Sequence, residues 1–178
     1  MIEGRAHLFG DNINTDYIIA GKYTKTLDYS VWVSHLFEDI SPGFSQKVKP
    51  GDCVVAGRNF GCGSSREQAA VALKYAQVGA VLAKSFARIF FRNAINLGIP
   101  ALICNTDEIH DGDQLEIDLT NQKIYNLTTH QILTIEPLPD VMIQILSEGG
   151  LTPYLKKFKT FKKAPGKGGT RITKIVVM

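Results

Sequence analysis

The segment from Gly61 to Glu67 carries the residues best suited to chemistry, in the order Gly-Cys-Gly-Ser-Ser-Arg-Glu. Its glycines leave the backbone uncovered, and Ser64, Ser65 and Arg66 follow the second of them directly. A guanidinium can bind a carboxylate or phosphate through two parallel hydrogen bonds, and a hydroxyl beside it can act as a nucleophile or base. The segment therefore predicts an anion-binding site with a reactive hydroxyl.

The flanking residues predict that this segment joins a buried strand to a helix. Residues 49–52 (Lys-Pro-Gly-Asp) are typical of a tight turn, and the short apolar run of residues 53–56 indicates a buried strand. Residues 64–68 contain two overlapping capping-box patterns, so we expect a helix to begin there and to end at Gly79. The N–H groups and the dipole at a helix N-terminus favour a bound anion.

The remaining patterns predict a mixed sheet with flanking helices, in the α/β or α+β class. Strand, helix, strand, helix and strand alternate through the middle of the chain, which favours partly parallel pairing. Alternating strands after residue 113 are expected to pair antiparallel. The further predicted strands are 5–9, 80–83, 99–103, 114–119, 123–125 and 132–135, and the further predicted helices are 86–97, ended by Gly98, and 140–146.

Several better-known anion-binding and nucleophile motifs are absent. No lysine follows Gly63, so the loop lacks the GxxxxGK[ST] pattern of a P-loop. The GxGxxG dinucleotide fingerprint is incomplete, and the strand ending at Ala83 offers no acidic residue. The GxSxG pattern of a nucleophile elbow is missing as well. From the residues alone, a serine-capped helix without any ligand stays open as an alternative.

A second polar segment covers residues 10–19, with the sequence Gly-Asp-Asn-Ile-Asn-Thr-Asp-Tyr-Ile-Ile. It follows the first predicted strand and contains Asp11, Asn12 and Asp16 among turn-forming residues. On its own it is explained by a turn in which Asp11 and Asn12 bind their own backbone.

The composition is that of one globular domain of 178 residues, with 44% hydrophobic and 21% charged residues. No apolar run is long enough to span a membrane, and we expect no secretory signal. Three widely spaced cysteines, Cys53, Cys62 and Cys104, predict neither a disulfide framework nor a CxxC metal site. A reducing, cytoplasmic location is the expectation.

Basic residues are concentrated near the C-terminus. Residues 151–178 contain eight Lys or Arg and no acid, which leaves 12 basic and 17 acidic residues in the other 150. A mildly acidic body with a basic tail does not favour a nucleic-acid-binding domain, which would spread its basic residues over a folded face. The tail is explained by a solvated extension or by an interaction arm.

Residues 10–18, 59–67 and 83–93 together resemble the mobile swivel domain of the aconitase superfamily. Residues 96–100 and Gly112-Asp113 match as well, and the resemblance covers residues 1–155, which leaves 156–178 as a basic extension. It implies a three-layer β/β/α domain that forms the small subunit of a two-subunit hydro-lyase, as in isopropylmalate dehydratase and homoaconitase. In such enzymes the small subunit has no cofactor, and a separate large subunit carries a [4Fe-4S] cluster.

The resemblance also implies roles for particular residues. Ser64 would be the catalytic base, and Asp16 would help to position the charged groups of the site. Arg66 would bind a substrate carboxylate, and backbone N–H groups near Gly63, Ser64 and Ser65 would complete the anion pocket. Cys62 has neither a nucleophilic nor a metal-binding role in the family pattern.

Substrate choice would depend on residues 21–26, which read Gly-Lys-Tyr-Thr-Lys-Thr. Homoaconitase-like members resemble Tyr-Leu-Arg-Thr at this point, whereas archaeal isopropylmalate-type members have an apolar residue in place of the arginine. Here Lys25, followed by Thr26, stands at the arginine position. Lysine keeps the charge but loses the bidentate geometry, so isopropylmalate, homocitrate-type and methyl-substituted malates all remain candidate substrates. Alternatives of another class are an RNA-binding regulatory module or a stand-alone anion-binding domain.

Overall fold

The computed structural model describes residues 1–159 and 161. Most of the predicted basic extension, including the strand-forming residues 171–178, lies outside the described residues. The helix that spans the proposed boundary at residue 155 continues to Phe158. The strands are β1 (Ile2–Leu8), β2 (Cys53–Ala56), β3 (Ala80–Ala83), β4 (Ala101–Ile103), β5 (Gln114–Asp118), β6 (Lys123–Asn126) and β7 (Gln131–Thr134). The helices are α1 (Thr15–Ile18), α2 (Tyr29–Ser34), α3 (Phe44–Lys47), α4 (Glu67–Tyr75), α5 (Arg88–Leu97), α6 (Asp140–Ser147) and α7 (Leu151–Phe158).

The described strands form a seven-stranded mixed sheet in the order β4-β3-β2-β1-β5-β6-β7. β1 to β4 pair parallel, with α4 and α5 connecting β2 to β3 and β3 to β4. β1 also pairs antiparallel with β5, and β5, β6 and β7 follow one another as antiparallel hairpins. The predicted alternation of strand and helix, and the antiparallel strands after it, are therefore confirmed.

The parallel strands are buried on both faces, and each face belongs to a different hydrophobic core. In β2, Val54 and Ala56 pack with the helices, whereas Cys53 and Val55 pack with residues of β5, β6 and β7. Successive side chains of a strand point to opposite faces, which explains this alternation. The antiparallel strands thus cover the face that the helices leave open, and the predicted three-layer β/β/α arrangement is confirmed.

The start of α4 differs from the sequence prediction. The residue that precedes the helix is Arg66, whose side chain makes no capping hydrogen bond, so the predicted capping box does not form. Residues 64 and 65 remain in the loop because the Ser64 carbonyl accepts hydrogen bonds from the Arg66 N–H and the Thr15 hydroxyl.

The predicted helix end at Gly79 is also wrong. α4 ends at Tyr75, and Gln77 takes the left-handed conformation that reverses the chain, with φ of 57°. By contrast, Gly98 ends α5 in the left-handed conformation with φ of 83°, as predicted.

α5 begins two residues later than predicted, at Arg88 instead of Phe86. A tertiary contact delays the start of the helix. Phe60 forms a parallel bridge with Phe86, which keeps residues 85–87 extended beside the loop after β2. The three short helices α1 to α3 have no counterpart in the sequence prediction.

Candidate active site

The candidate site lies at the carboxyl ends of β1, β2 and β3, where parallel sheets commonly bind ligands. The loops that follow these three strands contain residues 10–15, 57–66 and 84–87. They correspond to the three motifs that the sequence singled out, so the fold brings all three motifs to one edge.

The first two loops are joined by backbone hydrogen bonds. Gly61 N–H donates to the Ile13 carbonyl at 2.7 Å, and Thr15 N–H donates to the Cys62 carbonyl at 2.9 Å. Thr15 is buried, and its hydroxyl donates to the Ser64 carbonyl at 2.9 Å. The backbone that carries Ser64 is therefore held by the loop after β1.

The polar side chains of residues 10–19 support the neighbouring loop. Asp11 Oδ1 accepts the Arg58 N–H at 2.6 Å, and Asn12 Oδ1 accepts from Asn59 Nδ2 at 2.9 Å. The interpretation that Asp11 and Asn12 only bind their own backbone is therefore wrong. A single sequence could not reveal this, because the partners lie 47 residues further along the chain.

The loop after β3 attaches to the other side of the loop that carries Ser64. Phe60 N–H donates to the Ser85 carbonyl at 3.0 Å, and Ala87 N–H donates to the Phe60 carbonyl at 2.9 Å. Gly61, with φ of 77°, lies directly against the Phe90 ring, where an added Cβ would overlap the ring. This contact fixes the first turns of α5 beside residues 61–66.

Arg66 extends from the start of α4 to Asp16, and its Nη1 lies 2.7 Å from Asp16 Oδ1. Gly21 lies against the guanidinium, because a Cβ at that position would contact Nη1. Asp16 and the Gly21 backbone therefore set the direction of Arg66. A guanidinium has five N–H donors in a planar fork, so this contact leaves donors for a ligand.

Ser64 is exposed, and its hydroxyl has no hydrogen-bond partner among residues 1–159 and 161. The backbone N–H groups of Ser64 and Ser65 likewise donate to no acceptor in the described part of the chain. A free hydroxyl, free N–H donors and a guanidinium therefore meet in one short segment, which suits an oxyanion or a carboxylate.

These groups open into a cleft of about 600 Å³. One side consists of the loop residues and the other of the first turns of α5. Arg88 and Arg92 also line this cleft, although no role was predicted for them from the sequence. The available signal was their position in residues 83–93, directly after a parallel strand whose carboxyl end lies at the same edge. The lining consists of Thr15, Gly61, Gly63, Ser64, Ser65, Arg66, Ala87, Arg88, Ile89, Phe90 and Arg92.

The structure places Lys25 and Thr26 outside the lining of this cleft. Both are exposed, and Thr26 holds its own loop, with its hydroxyl accepting the Asp28 N–H and its carbonyl accepting from Trp32 Nε1. Gly63, Ser64, Ser65 and Arg66 do line the cleft, and Asp16 reaches it through Arg66. The loop with Lys25 adjoins the site through Gly21.

The described residues do not fit an iron–sulfur cluster or another multi-ligand metal site. Residues 1–159 and 161 contain no group of three His, Cys, Asp or Glu side chains placed to hold a metal ion. Cys53 and Cys104 are buried in the core between the parallel strands and the antiparallel strands that cover them, and burial raises the pKa of each thiol to about 12. Such thiols stay protonated near neutral pH, whereas metal ligation requires thiolates. Cys62 is half-buried in the loop.

Comparison with known proteins shows which family this chain resembles. The family model described as the aconitase C-terminal domain matches residues 11–106. A methanogen homoaconitase small subunit from Methanocaldococcus jannaschii is 51% identical over 93% of this chain and 98% of its own length. A 3-isopropylmalate dehydratase small subunit from Methanosarcina acetivorans is 52% identical over 88% of this chain and 97% of its own length.

A crystal structure of 3-isopropylmalate dehydratase from Methanocaldococcus jannaschii has the same fold. It is 52% identical, and the match has a TM-score of 0.85 over 89% of this chain and 95% of the other. The chain therefore belongs to the aconitase C-terminal domain family. Within that family it is of the small-subunit type found in 3-isopropylmalate dehydratase and homoaconitase.

The family resemblance, the swivel-domain fold and the assignment to hydro-lyase subunits are thereby confirmed. Within residues 1–159 and 161, no helix combines the length and the apolar character needed to cross a bilayer.

Proposed function

We propose that this chain supplies half of the active site of a hydro-lyase that dehydrates or isomerises a hydroxy-dicarboxylate, with 3-isopropylmalate as the first candidate substrate. The observation that carries the proposal is the cleft in which the unpaired Ser64 hydroxyl lies beside Arg66 and free backbone N–H groups. The relatives named as 3-isopropylmalate dehydratase small subunits support this choice.

In this reaction Ser64 acts as the base. Dehydration removes a proton from the carbon next to a carboxylate and a hydroxyl group from the adjacent carbon, which leaves a double bond and water. The proton passes to Ser64 Oγ, and Arg66 holds the neighbouring carboxylate, on which negative charge grows as the carbon acid ionises. Returning the elements of water in the opposite orientation completes an isomerisation.

A serine hydroxyl is a very weak base, so the site must stabilise its alkoxide. Opposite charges and hydrogen bonds to a charged form both favour that form. Arg66 and the free N–H groups of Ser64 and Ser65 provide such an environment, and Asp16 keeps the guanidinium in place. We assign Asp16 this positioning role because it contacts Arg66 and does not line the cleft.

The partner in this proposal is a large subunit, and the [4Fe-4S] cluster belongs to that subunit. The cluster would act as a Lewis acid for the leaving hydroxyl. The described residues of this chain bring no three metal-ligating side chains together, which supports placing the cluster elsewhere. We place the assembly in the cytoplasm, and with 3-isopropylmalate as substrate it would serve leucine biosynthesis.

Homoaconitase is the second candidate activity, because one of the similar proteins is named a methanogen homoaconitase small subunit. A homocitrate-type substrate carries an additional carboxylate. Lys25 would bind it if the loop of residues 21–26 moved toward the cleft that Gly21 already adjoins. Dimethylmalate-type dehydration remains a third candidate.

The direct test is an anaerobic assay of this chain mixed with the cluster-bearing large subunit from the same source. The absorbance of the enoate product is followed with 3-isopropylmalate, homocitrate and 2,3-dimethylmalate in parallel. We expect turnover only in the mixture and the highest kcat/KM with 3-isopropylmalate. A formed complex that turns over none of these acids, despite an intact cluster, would refute the proposal.

A further inference from the structure

Arg88 and Arg92 are two arginines of α5 whose side chains form no hydrogen bond or ion pair with any described residue. They lie one turn apart on the helix, and both are exposed. Both line the cleft that contains Ser64 and Arg66. No carboxylate contributes to that lining, so three arginines surround the cavity without an acidic side chain among them.

The local arrangement is unfavourable for the isolated helix. Arg88 is the first residue of α5, where the helix dipole disfavours a positive charge. Arg92 follows four residues later, and like charges at this spacing repel each other. Local rules that are broken without compensation in the folded chain commonly mark functional positions. An anion bound near both side chains would relieve both penalties.

The position of Arg88 is fixed relative to Ser64. Ala87, which precedes it, donates its N–H to Phe60, and Phe90 packs against Gly61. The rings of Phe60 and Phe90 lie edge to face at 5.1 Å, which anchors the helix start to the loop. The two sides of the cleft therefore form one rigid unit, with Arg66 on the loop side and the two arginines on the helix side.

We propose that Arg88 and Arg92 form a second carboxylate subsite, which holds the substrate carboxylate that Arg66 does not bind. The inference rests on the proposed function and narrows the class of substrate. The cleft itself would require a substrate with two carboxylates, and this requirement does not depend on what Lys25 contacts. The remaining helix-side residues Ala87, Ile89 and Phe90 are apolar and suit the carbon skeleton between the carboxylates.

The test uses the complete assembly with Arg88→Gln and Arg92→Gln in the small subunit. Arg5→Gln is the matched control, because Arg5 is an exposed arginine on β1 that does not line the cleft. Each cleft variant is expected to raise KM about tenfold or more, since hydrogen bonds to charged groups are among the strong ones. The control is expected to leave KM unchanged, and Arg88→Lys should restore part of the lost affinity.

A pair of inhibitors shows whether the arginines contact a carboxylate. In Arg88→Gln and Arg92→Gln, the inhibition constant of succinate should rise about as much as KM. The inhibition constant of its half-amide, succinamate, should change much less, because it can place its single carboxylate at Arg66. An equal rise for both compounds would overturn the inference.

Subunit affinity is measured in parallel, because arginines on an exposed helix could instead dock acidic side chains of the large subunit. Weaker assembly with unchanged KM would establish that docking role and overturn the subsite. Unchanged KM in an active, intact assembly would overturn it too, while leaving the proposed function standing. If the wild-type assembly turns over no hydroxy acid, calorimetric binding of succinate by the wild-type and variant assemblies decides the inference separately.

Discussion

Polar side chains at the two ends of the parallel strands differ in whether they are hydrogen-bonded within the chain. Before β2, the buried Asp52 accepts hydrogen bonds from the backbone N–H groups of Arg5 and Lys49, both at 2.9 Å. His7 Nε2 lies 2.8 Å from its second oxygen. After β2, the Ser64 hydroxyl has no partner within residues 1–159 and 161.

This difference separates the residues that hold the fold from those that can bind. A buried carboxylate must be fully hydrogen-bonded, since leaving it unpaired costs several kcal/mol. Groups left unpaired at the opposite end are exposed, so water satisfies them until a ligand replaces it. Substitutions at the two ends should therefore affect different measurements.

The largest stability effect is expected at Gly61, where the site meets the core. Gly61→Ala introduces a Cβ into the Phe90 ring at a residue whose φ is 77°, so both overlap and backbone strain oppose it. These effects together cost about 2–5 kcal/mol of the free energy of unfolding, measured by urea denaturation.

Gly112→Ala separates the two causes. Gly112 has φ of 88°, but an added Cβ would have no atom within 4 Å. Only the backbone cost of about 1–2 kcal/mol should therefore appear. Equal losses in the two variants would show that the contact between Gly61 and Phe90 does not fix α5.

At the opposite end, Asp52→Asn should lower stability by about 1–3 kcal/mol through the loss of charge-assisted hydrogen bonds, without changing kcat of the assembly. Asp39→Asn is the surface control, because Asp39 is exposed and its side chain forms no hydrogen bond or ion pair with any residue of 1–159 or with residue 161. A fall in kcat for Asp52→Asn without a loss of stability would contradict the division between the two ends.

Asp52 also predicts a pH dependence. Burial alone would raise the pKa of Asp52, but hydrogen bonds from His7, Arg5 and Lys49 outweigh it and lower the pKa below its usual value of 3.8. The folded state therefore holds this proton less tightly than the unfolded state. The contribution of Asp52 to the free energy of unfolding is complete above the pKa of an ordinary aspartate carboxyl. It is lost as pH falls through the lowered pKa of the folded state. Asp52→Asn should flatten this acid limb of the stability curve.

Asp16→Asn tests the support of Arg66 at the cleft. The neutral amide can still accept one hydrogen bond but no longer pairs with the guanidinium charge, so Arg66 is held less firmly. The pair is partly exposed, with 32% of the Arg66 side chain and 49% of the Asp16 side chain accessible, which limits the effect on stability. We expect KM to rise about three- to tenfold with the urea midpoint unchanged. Unchanged KM would show that Arg66 keeps its place without Asp16.

The smallest effect is expected at Lys25. Lys25→Arg restores a bidentate fork at the position that resembles the homoaconitase arginine, and should shift the ratio of kcat/KM values toward homocitrate by a few-fold. The effect is small because Lys25 does not line the cleft. An unchanged ratio would show that the loop of residues 21–26 does not select the substrate.

Much of the fold could be predicted because its strongest local signals agree with the tertiary structure. The buried strands β2 and β3 were predicted with their observed bounds, Cys53–Ala56 and Ala80–Ala83, because short apolar runs between turn residues have few alternatives. The capping pattern in residues 64–68 failed because Thr15, distant in sequence, holds the Ser64 carbonyl in the loop. The local pattern carried no information about that contact.

The site could be predicted only in part for the same reason. Residues 63–66 are consecutive, so their chemistry is visible in one segment of sequence. Arg88 and Arg92 reach the same cleft through the pairing of residues 85–87 with Phe60, which depends on tertiary contacts. The contact of Asp16 with Arg66 likewise joins residues 50 positions apart.

The most direct test of the central claim is the turnover of an assembly that contains Ser64→Ala. Ser41→Ala is the control, because Ser41 does not line the cleft. We expect Ser64→Ala to assemble normally and to lose about 10²–10⁴-fold in kcat, because a catalytic base is removed. We expect Ser41→Ala to keep wild-type kcat. Near-normal kcat in an assembled Ser64→Ala enzyme would contradict the assignment of Ser64 as the base.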